Sequence, residues 1–316
     1  MSENKIKFYL NDKEVLAHQD ETIWQVANRL GTEIPHLCYA NKPGYRADGN
    51  CRACMVEIEG ERVLAASCIR KPTNNMKVNT SSQKAKKSRE LVFELLLSDQ
   101  PARDISHDND SKFWNWIDKI EIEESRFPKK TPCQSDTSHP SMAVNLDACI
   151  QCNLCVRACR EVQVNDVIGM AYRGENSKIV FDFDDPMGDS TCVACGECVQ
   201  ACPTGALMPA SVVDKDGVGH SHVDKKVDSV CPYCGVGCQI EYNVKDNKIK
   251  YVNGIDGPAN KNRLCVKGRF GFDYVNNPER LTKPLIRIKG KKKDLHPSIS
   301  FSNIHEYFRE SSWEEA

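Results

Sequence analysis

Two stretches decide the fold: CIQCNLCVRACR at 149–160 and CVACGECVQACP at 192–203. In each, three cysteines fall within seven residues, and a fourth follows after three more residues. Three thiolates so close in sequence wrap one corner of a [4Fe–4S] cube, whereas a single tetrahedral zinc ion does not require them. The two stretches therefore predict a pair of [4Fe–4S] clusters, and with them one-electron transfer.

Both stretches resemble the cluster-binding run of bacterial two-cluster ferredoxins. The second ends on Pro203, which is usual for such runs, whereas Arg160 stands at the equivalent place in the first. In these ferredoxins the fourth cysteine of each run binds the cluster of the other run. The resemblance therefore implies two crossed ligand sets: Cys149, Cys152, Cys155 and Cys202 for one cluster, and Cys192, Cys195, Cys198 and Cys159 for the other.

Another group lies towards the N-terminus and consists of Cys38, Cys51, Cys54 and Cys68. Its central pair comes from one loop, where Gly44 and Gly49 let the backbone approach the sulfides of a [2Fe–2S] cluster. Zinc is the alternative, although a first gap of 12 residues is unusual for a zinc ribbon. The segment GNCRACMVEIEG at 49–60 is similar to the [2Fe–2S] domain in the largest peripheral-arm subunit of respiratory complex I.

The last group begins with CPYCGVGC at 231–238, and 26 residues separate this motif from the final cysteine. Its members are Cys231, Cys234, Cys238 and Cys265. The pattern resembles the N-terminal [4Fe–4S] domain of molybdopterin oxidoreductases, and CPYCGVGC resembles formate dehydrogenases in particular. In that family a lysine two residues after the last cysteine lies between the cluster and the pterin. Lys267 matches that position and is implied to relay electrons to the pterin; an ordinary surface lysine is the alternative.

These resemblances cover nearly the whole chain. They imply the iron–sulfur part of the α-subunit of an NAD-dependent, molybdenum- or tungsten-containing formate dehydrogenase. The implied cofactors are one [2Fe–2S] and three [4Fe–4S] clusters here, with molybdopterin guanine dinucleotide only in the full-length protein. The implied partners are the flavin- and NAD-binding iron–sulfur subunits of that complex. No catalytic residue is expected in this chain, because it lacks the active-site cysteine or selenocysteine of formate dehydrogenases.

Three rival functions stay open. The G-type subunit of an NADH–quinone oxidoreductase would use similar modules, and an iron-only hydrogenase would share the first three cysteine groups. A stand-alone, non-catalytic electron carrier would be complete at 316 residues. Ser311 and Ser312 precede Glu314 and Glu315 at capping-box spacing, which predicts the start of a helix. We therefore expect the natural chain to continue into a molybdopterin domain.

Composition points to a cytoplasmic protein that neither spans a membrane nor binds nucleic acid. The net charge is −1, the hydrophobic fraction is 40%, and MSENKIKFYL contains no apolar signal core. No run approaches the roughly 18 apolar residues of a membrane span. Thiols stay reduced in the cytoplasm, so 17 cysteines favour metal binding over disulfides. Only Cys133 is left without a group, and we interpret it as incidental.

The predicted fold class is α+β, built from separate modules. The predicted boundaries are a β-grasp [2Fe–2S] domain at 1–80, a helical region with linker at 81–141, a two-cluster ferredoxin domain at 142–210, a small β-rich [4Fe–4S] domain at 227–285, and the start of a truncated molybdopterin domain at 286–316.

Local patterns predict several elements. Hairpins are expected at 5–18 around Asn11-Asp12, at 55–66 around Gly60 and at 239–252 around Asp246-Asn247. Helices are expected at 21–30 and 84–97. The apolar stripe of the second helix is predicted to be Leu91, Val92, Leu95 and Leu96.

One site departs from the complex I pattern. Complex I relatives carry a further cluster on H-x3-C-x2-C-x5-C, and the matching positions here are Gln100, Asp104, His107 and Phe113. None is a thiol, and a phenylalanine cannot ligate iron. The sequence therefore predicts that this cluster is absent, that Asp104 and His107 make surface polar contacts, and that the electron path has a possible gap after the [2Fe–2S] site.

Overall fold

The computed structural model describes residues 5–129, 132, 134–215, 217–296 and 298–316, so Cys133 lies outside the described residues. The chain forms two compact units that divide between Phe270 and Gly271. No helix in the described part of the chain is both long and apolar enough to cross a membrane.

The first unit begins with the predicted hairpin of β1 (Ile6–Leu10) and β2 (Lys13–Ala17). Asn11 and Asp12 both take positive φ angles, as a two-residue type I′ turn requires. The predicted helix follows as α1 (Ile23–Arg29), which begins with a capping box between Thr22 and Gln25.

Three short strands complete a five-stranded sheet. They are β3 (Met55–Ile58), β4 (Ala65–Ala66) and β5 (Lys77–Asn79). The strand order is β2-β1-β5-β3-β4, with β5 parallel to β1. The predicted 55–66 hairpin is thus shorter than expected. The first half of β3 pairs with β4, and its second half pairs with β5. α1 packs Ile23 and Val26 against Phe8 and Val56, which are all fully buried.

Two helices follow the sheet, α2 (Gln83–Ser98) and α3 (Lys112–Ile120). The prediction of a helix at 84–97 is confirmed, but its predicted stripe is wrong in part: Leu96 packs against the core, whereas Leu91 and Leu95 are exposed. Phe93 is the buried anchor instead, and its ring lies 6.1 Å from that of Phe113, centroid to centroid. The leucines dominate the sequence pattern of this helix, although the side chain most deeply buried in the core is the ring of Phe93.

Next come two short helices and two small two-stranded sheets, which frame the second and third cysteine groups. In chain order the elements are β6 (Met142–Val144), α4 (Leu154–Arg157), β7 (Ile168–Ala171), β8 (Lys178–Phe181), α5 (Glu197–Ala201) and β9 (Leu207–Pro209). β6 pairs with β9 and β7 pairs with β8. A π-helical turn extends α4 over Ala158–Val162.

The first unit ends with a three-stranded antiparallel sheet and a helix, which carry the last cysteine group. They are β10 (Lys225–Val230), β11 (Gln239–Lys245), β12 (Lys248–Gly254) and α6 (Val266–Phe270). The hairpin around Asp246-Asn247 is confirmed. β10, which pairs with β11, was not predicted from the sequence.

The second unit is small. Its strands β13 (Leu285–Arg287) and β14 (Phe308–Glu310) pair antiparallel. Ser312 Oγ accepts a hydrogen bond from the Glu315 backbone N–H at 3.2 Å, which is the cap contact that the sequence predicts there.

Candidate metal centres

The first cysteine group is buried beside the five-stranded sheet. Cys38, Cys54 and Cys68 are each only 1% exposed, and Cys51 is half-buried. The Cys38 and Cys51 backbone N–H groups each donate to the other residue's Sγ at 3.4 Å. Hydrogen bonds from the Cys51 and Cys68 thiols lower the pKa of Cys38, and the same contacts raise the pKa of Cys51 and of Cys68, so the sulfurs of this group interact directly. Sulfur atoms held by N–H donors suit an iron–sulfur cluster.

The loop before this group is fixed by aromatic packing. Trp24 on α1 lies edge-on to His36 and Tyr39, with ring centroids 4.3 and 5.1 Å away. Its indole N–H donates to the Ile34 carbonyl at 3.1 Å. These contacts immobilise the backbone immediately before Cys38, so the first ligand is held in place by α1.

The second and third groups lie close to one another. Burial is the main cause that raises the pKa of Cys152, and the second largest cause is the charge of Cys202, which is distant in sequence. Burial also raises the pKa of Cys198, and the charges of Cys195, Cys192 and Cys159 add to it. The structure thus brings each fourth cysteine to the opposite run.

The two runs share one backbone shape. Gln151 and Asn153 in the first run have left-handed φ angles of 53° and 61°, and Ala194 and Gly196 at the equivalent places have 55° and 68°. A left-handed residue reverses the local direction of backbone N–H groups. Short helices α4 and α5 then begin at equivalent positions, immediately before the third cysteine of each run.

Burial disfavours the charged form of several of these thiols. Burial is the main cause that raises the pKa of Cys155 and of Cys192. N–H donors nevertheless reach the sulfurs: Val167 donates to Cys159 Sγ at 3.3 Å, and Ala194 to Cys192 Sγ at 3.4 Å. Buried thiolates with N–H donors need positive charge from a metal, so the donor set fits [4Fe–4S] clusters.

The last group is the most open. Cys231 is 9% exposed, whereas Cys234 and Cys265 are both exposed. Burial raises the pKa of Cys238, with further effect from the charges of the other three thiols. Cys231 also donates its backbone N–H to the Cys238 carbonyl at 2.9 Å. The four thiols therefore share one site at the surface of the first unit.

Lys267 is exposed on α6, next to this open group. Gly268 on the same helix passes close to Cys231, because a Cβ there would lie 3.6 Å from Cys231 Sγ. Lys267 and the glycine that packs against Cys231 therefore lie on the same short helix, which begins immediately after Cys265.

Consecutive groups are also neighbours. The charge of Cys38 acts on Cys152, and Asn50 beside the first group donates to the Cys152 carbonyl at 3.5 Å. The charge of Cys198 acts on Cys155, which links the second and third groups. The gap that the sequence predicts after the first group is therefore not present in the fold.

The degenerate cluster site is filled by packing. Phe113 is fully buried in the core with Phe93, and Gln100 donates to the Ala148 carbonyl at 3.1 Å. Asp104 is exposed, as predicted. The prediction of surface contacts for His107 is wrong: its side chain is fully buried, and burial lowers its pKa.

The described cysteines are all free thiols. Among the residues that the structure describes, no three His, Cys, Asp or Glu side chains converge as a site for a single metal ion. Sequence reasoning missed the arginines that join the sites: Arg157 and Arg269 are each only 2% exposed. A charged residue two positions after a ligand cysteine, as in Cys155-Val-Arg, is the signal that could have found the first.

Three known domain families match the chain. A 2Fe-2S iron-sulfur cluster binding domain matches residues 3–83, and a 4Fe-4S dicluster domain matches 148–206. The molybdopterin oxidoreductase Fe4S4 domain matches 224–277. This chain carries the iron–sulfur domains of a molybdopterin oxidoreductase. The resemblances to iron–sulfur domains and the α+β, multi-module fold class are thereby confirmed.

The relatives of this chain match it over nearly its whole length. A Staphylococcus haemolyticus protein whose provisional name is formate dehydrogenase is 29% identical over 97% of this chain and 33% of its own length. The G 2 subunit of the Rhizobium meliloti NADH-quinone oxidoreductase is 31% identical over 90% of this chain and 33% of its own length.

A solved structure shares the fold. The crystal structure of an NAD+-reducing [NiFe]-hydrogenase in the H2-reduced state matches with a TM-score of 0.58 and 26% identity. The match covers 65% of this chain and 87% of that chain. This chain spans about a third of the length of the curated relatives that it matches.

Proposed function

We propose that this chain is the electron-transfer part of a formate dehydrogenase and relays electrons from a molybdopterin centre towards a flavin- and NAD-binding partner. The molybdopterin centre, with molybdenum or tungsten, would belong to the full-length protein. The formate dehydrogenase name of the staphylococcal relative and the CPYCGVGC motif support this substrate. We also propose the module boundaries predicted from the sequence.

The observation that carries the proposal is the order of the four thiol groups in space. The charge of Cys38 acts on Cys152, and that of Cys198 on Cys155, so the first three groups are in electrostatic contact. Arg269 then joins the third group to the last, as its backbone N–H donates to the Cys265 carbonyl and its Nε to that of Cys195. A row of neighbouring one-electron sites is what a relay requires.

The residues have distinct parts in this relay. The 16 cysteines of the four groups would hold one [2Fe–2S] and three [4Fe–4S] clusters, each of which takes up and releases one electron when bound. Buried hydrophobic residues around the inner groups exclude water, among them Leu154, Val162 and Phe181. Backbone N–H donors stabilise the charge on sulfur.

The open last group suits the end of the relay that faces the pterin. Cys234 and Cys265 are exposed, and the exposed Lys267 lies beside them. The buried [2Fe–2S] group at the other end would exchange electrons with the partner subunit. The solved structure of similar fold is an NAD+-reducing enzyme, which supports an NAD-linked partner.

The second candidate is an electron carrier like the G-type subunit of NADH–quinone oxidoreductases. It is favoured by the 31% identity to the Rhizobium meliloti protein. The replacement of three cluster-binding cysteines by Asp104, His107 and Phe113 counts against it.

The test is substrate-dependent reduction of the native complex. The tagged protein would be purified anaerobically from its own cells with its partners, and cluster reduction followed by low-temperature EPR. We expect formate to reduce the clusters, and NADH to reduce them through the partner. Reduction by NADH with none by formate would contradict the formate proposal and favour the NADH–quinone oxidoreductase candidate.

A further inference from the structure

Two buried arginines each connect the loops of neighbouring cysteine groups. The Arg157 guanidinium donates through Nη2 to the Cys38 carbonyl at 2.7 Å and to the Cys152 carbonyl at 3.2 Å. One nitrogen therefore contacts a cysteine of the first group and a cysteine of the second. Arg157 belongs to α4, and Cys38 to the β-grasp module, so the contact also fixes one module on the other.

The rest of the Arg157 side chain is equally constrained. Its Nε donates to the Asn153 carbonyl at 3.2 Å and pairs with Asp48 Oδ2 at 3.2 Å, while Nη1 donates to the Arg46 carbonyl. The side chain is 2% exposed, and Asp48 supplies the opposite charge. A lysine has one nitrogen and no planar fork, so it could not make these contacts together.

Arg269 makes the corresponding connection at the other end. Its Nε donates to the Cys195 carbonyl at 3.2 Å, and its backbone N–H to the Cys265 carbonyl at 3.0 Å. Nη2 pairs with Glu197 Oε2 at 3.2 Å, and that carboxylate also accepts from the Tyr45 hydroxyl at 2.8 Å. Arg269 and Glu197 are 2% and 1% exposed.

The internal repeat of the cysteine runs gives these contacts a shared origin. Arg157 follows Cys155 by two residues, and Gln200 follows Cys198 by two residues. Gln200 accepts from Arg269 Nη1 and donates to the Gly254 carbonyl at 2.7 Å. Equivalent positions of α4 and α5 therefore face the two flanking modules, one on each side.

We propose that Arg157 and Arg269 are positioning residues, which set the spacing of the first to the second cysteine group and of the third to the last. This inference rests on the proposed relay and adds the side chains that hold it in register. The rate of electron transfer between two sites falls as the distance between them grows, so contacts that fix the spacing of the groups bear directly on the relay.

The test compares Arg157→Lys, Arg269→Lys and the exposed control Arg160→Lys in the anaerobically prepared chain. Iron and acid-labile sulfide would be measured first, and then the magnetic coupling between neighbouring reduced clusters by EPR. We expect all three to keep the wild-type iron content. Arg157→Lys should lose only the coupling of the [2Fe–2S] cluster to its neighbour, Arg269→Lys only that of the last cluster, and Arg160→Lys neither.

Full iron content with unchanged coupling in both lysine variants would overturn the inference. If Arg157→Lys instead loses its clusters, Asp48→Asn decides, because it keeps the arginine but removes the carboxylate that orients its guanidinium towards the Cys38 and Cys152 carbonyls. A weaker coupling at the first junction alone supports the inference, and wild-type coupling overturns it. Absence of coupling in the fully loaded wild-type protein would contradict the relay itself, which separates the two failures.

Discussion

At the residue scale, the cysteines show why the fold and the clusters depend on each other. Burial raises the pKa of Cys155, Cys192 and Cys198, so the protein environment by itself disfavours the thiolates that iron requires. Iron supplies the positive charge that stabilises them, and cluster binding should therefore contribute to the stability of the fold.

Asp108 offers a residue-scale prediction away from the cysteines. Burial raises its pKa above the ordinary 3.8, against the hydrogen bond from Ser221 and the N–H of Asp110. The protonated form is thus favoured in the fold. Its contribution to stability is complete below pH 3.8 and is lost as the pH rises through the raised pKa. Asn keeps a neutral side chain and the same acceptor oxygen.

We therefore expect Asp108→Asn to become increasingly more stable than the wild type as the pH rises from about 4 towards 7. The measurement is the urea unfolding midpoint across that range, with the exposed Asp104→Asn as control. A difference between Asp108→Asn and wild type that does not change with pH would show that burial does not hold this carboxyl in its neutral form.

At the element scale, the start of α5 depends on one glycine. Gly196 has φ +68°, and a Cβ there would lie 2.8 Å from Arg269 Cγ and from Phe270 Cζ. Gly174 has φ +61° with nothing within 4 Å of its Cβ position, so it is a matched control.

Gly196→Ala should destabilise by about 2–5 kcal/mol, because a left-handed penalty of about 1–2 kcal/mol adds to overpacking of about 1–3 kcal/mol. Gly174→Ala should show only the first penalty. Equilibrium unfolding in urea gives both values. Equal losses in the two variants would show that α6 does not pack on Gly196 as described.

The second element-scale prediction concerns α2. Phe93 is fully buried, whereas Leu95 is 52% exposed. Phe93→Ala should cost about 3–5 kcal/mol of unfolding free energy, and Leu95→Ala within about 0.5 kcal/mol. Unfolding followed by tryptophan fluorescence measures both. A larger loss for Leu95→Ala would restore the leucine stripe as the core face.

At the scale of the whole molecule, the sequence predicted the individual modules better than the joints, that is, the contacts between modules. Cysteine spacing fixes local loops, and Asn11-Asp12 and Asp246-Asn247 fix hairpins by their turn chemistry. The joints depend on contacts far apart in sequence, such as Tyr45 with Glu197, which no local pattern encodes.

Two sequence expectations failed for the same reason. The burial of His107 depends on the 217–219 segment, since a Cβ on Gly219 would lie 1.1 Å from the His107 carbonyl oxygen. The closeness of the first two groups depends on Arg157, which lies 119 residues from Cys38. Tertiary contacts of this kind become visible only in the folded chain.

The four cysteine groups are central to everything proposed for this molecule, because they are to hold one [2Fe–2S] and three [4Fe–4S] clusters. The most direct test is iron and acid-labile sulfide on the same anaerobically reconstituted sample of this chain. We predict about 14 iron and about 14 sulfide per chain. About four zinc ions per chain without sulfide would contradict the cluster assignment.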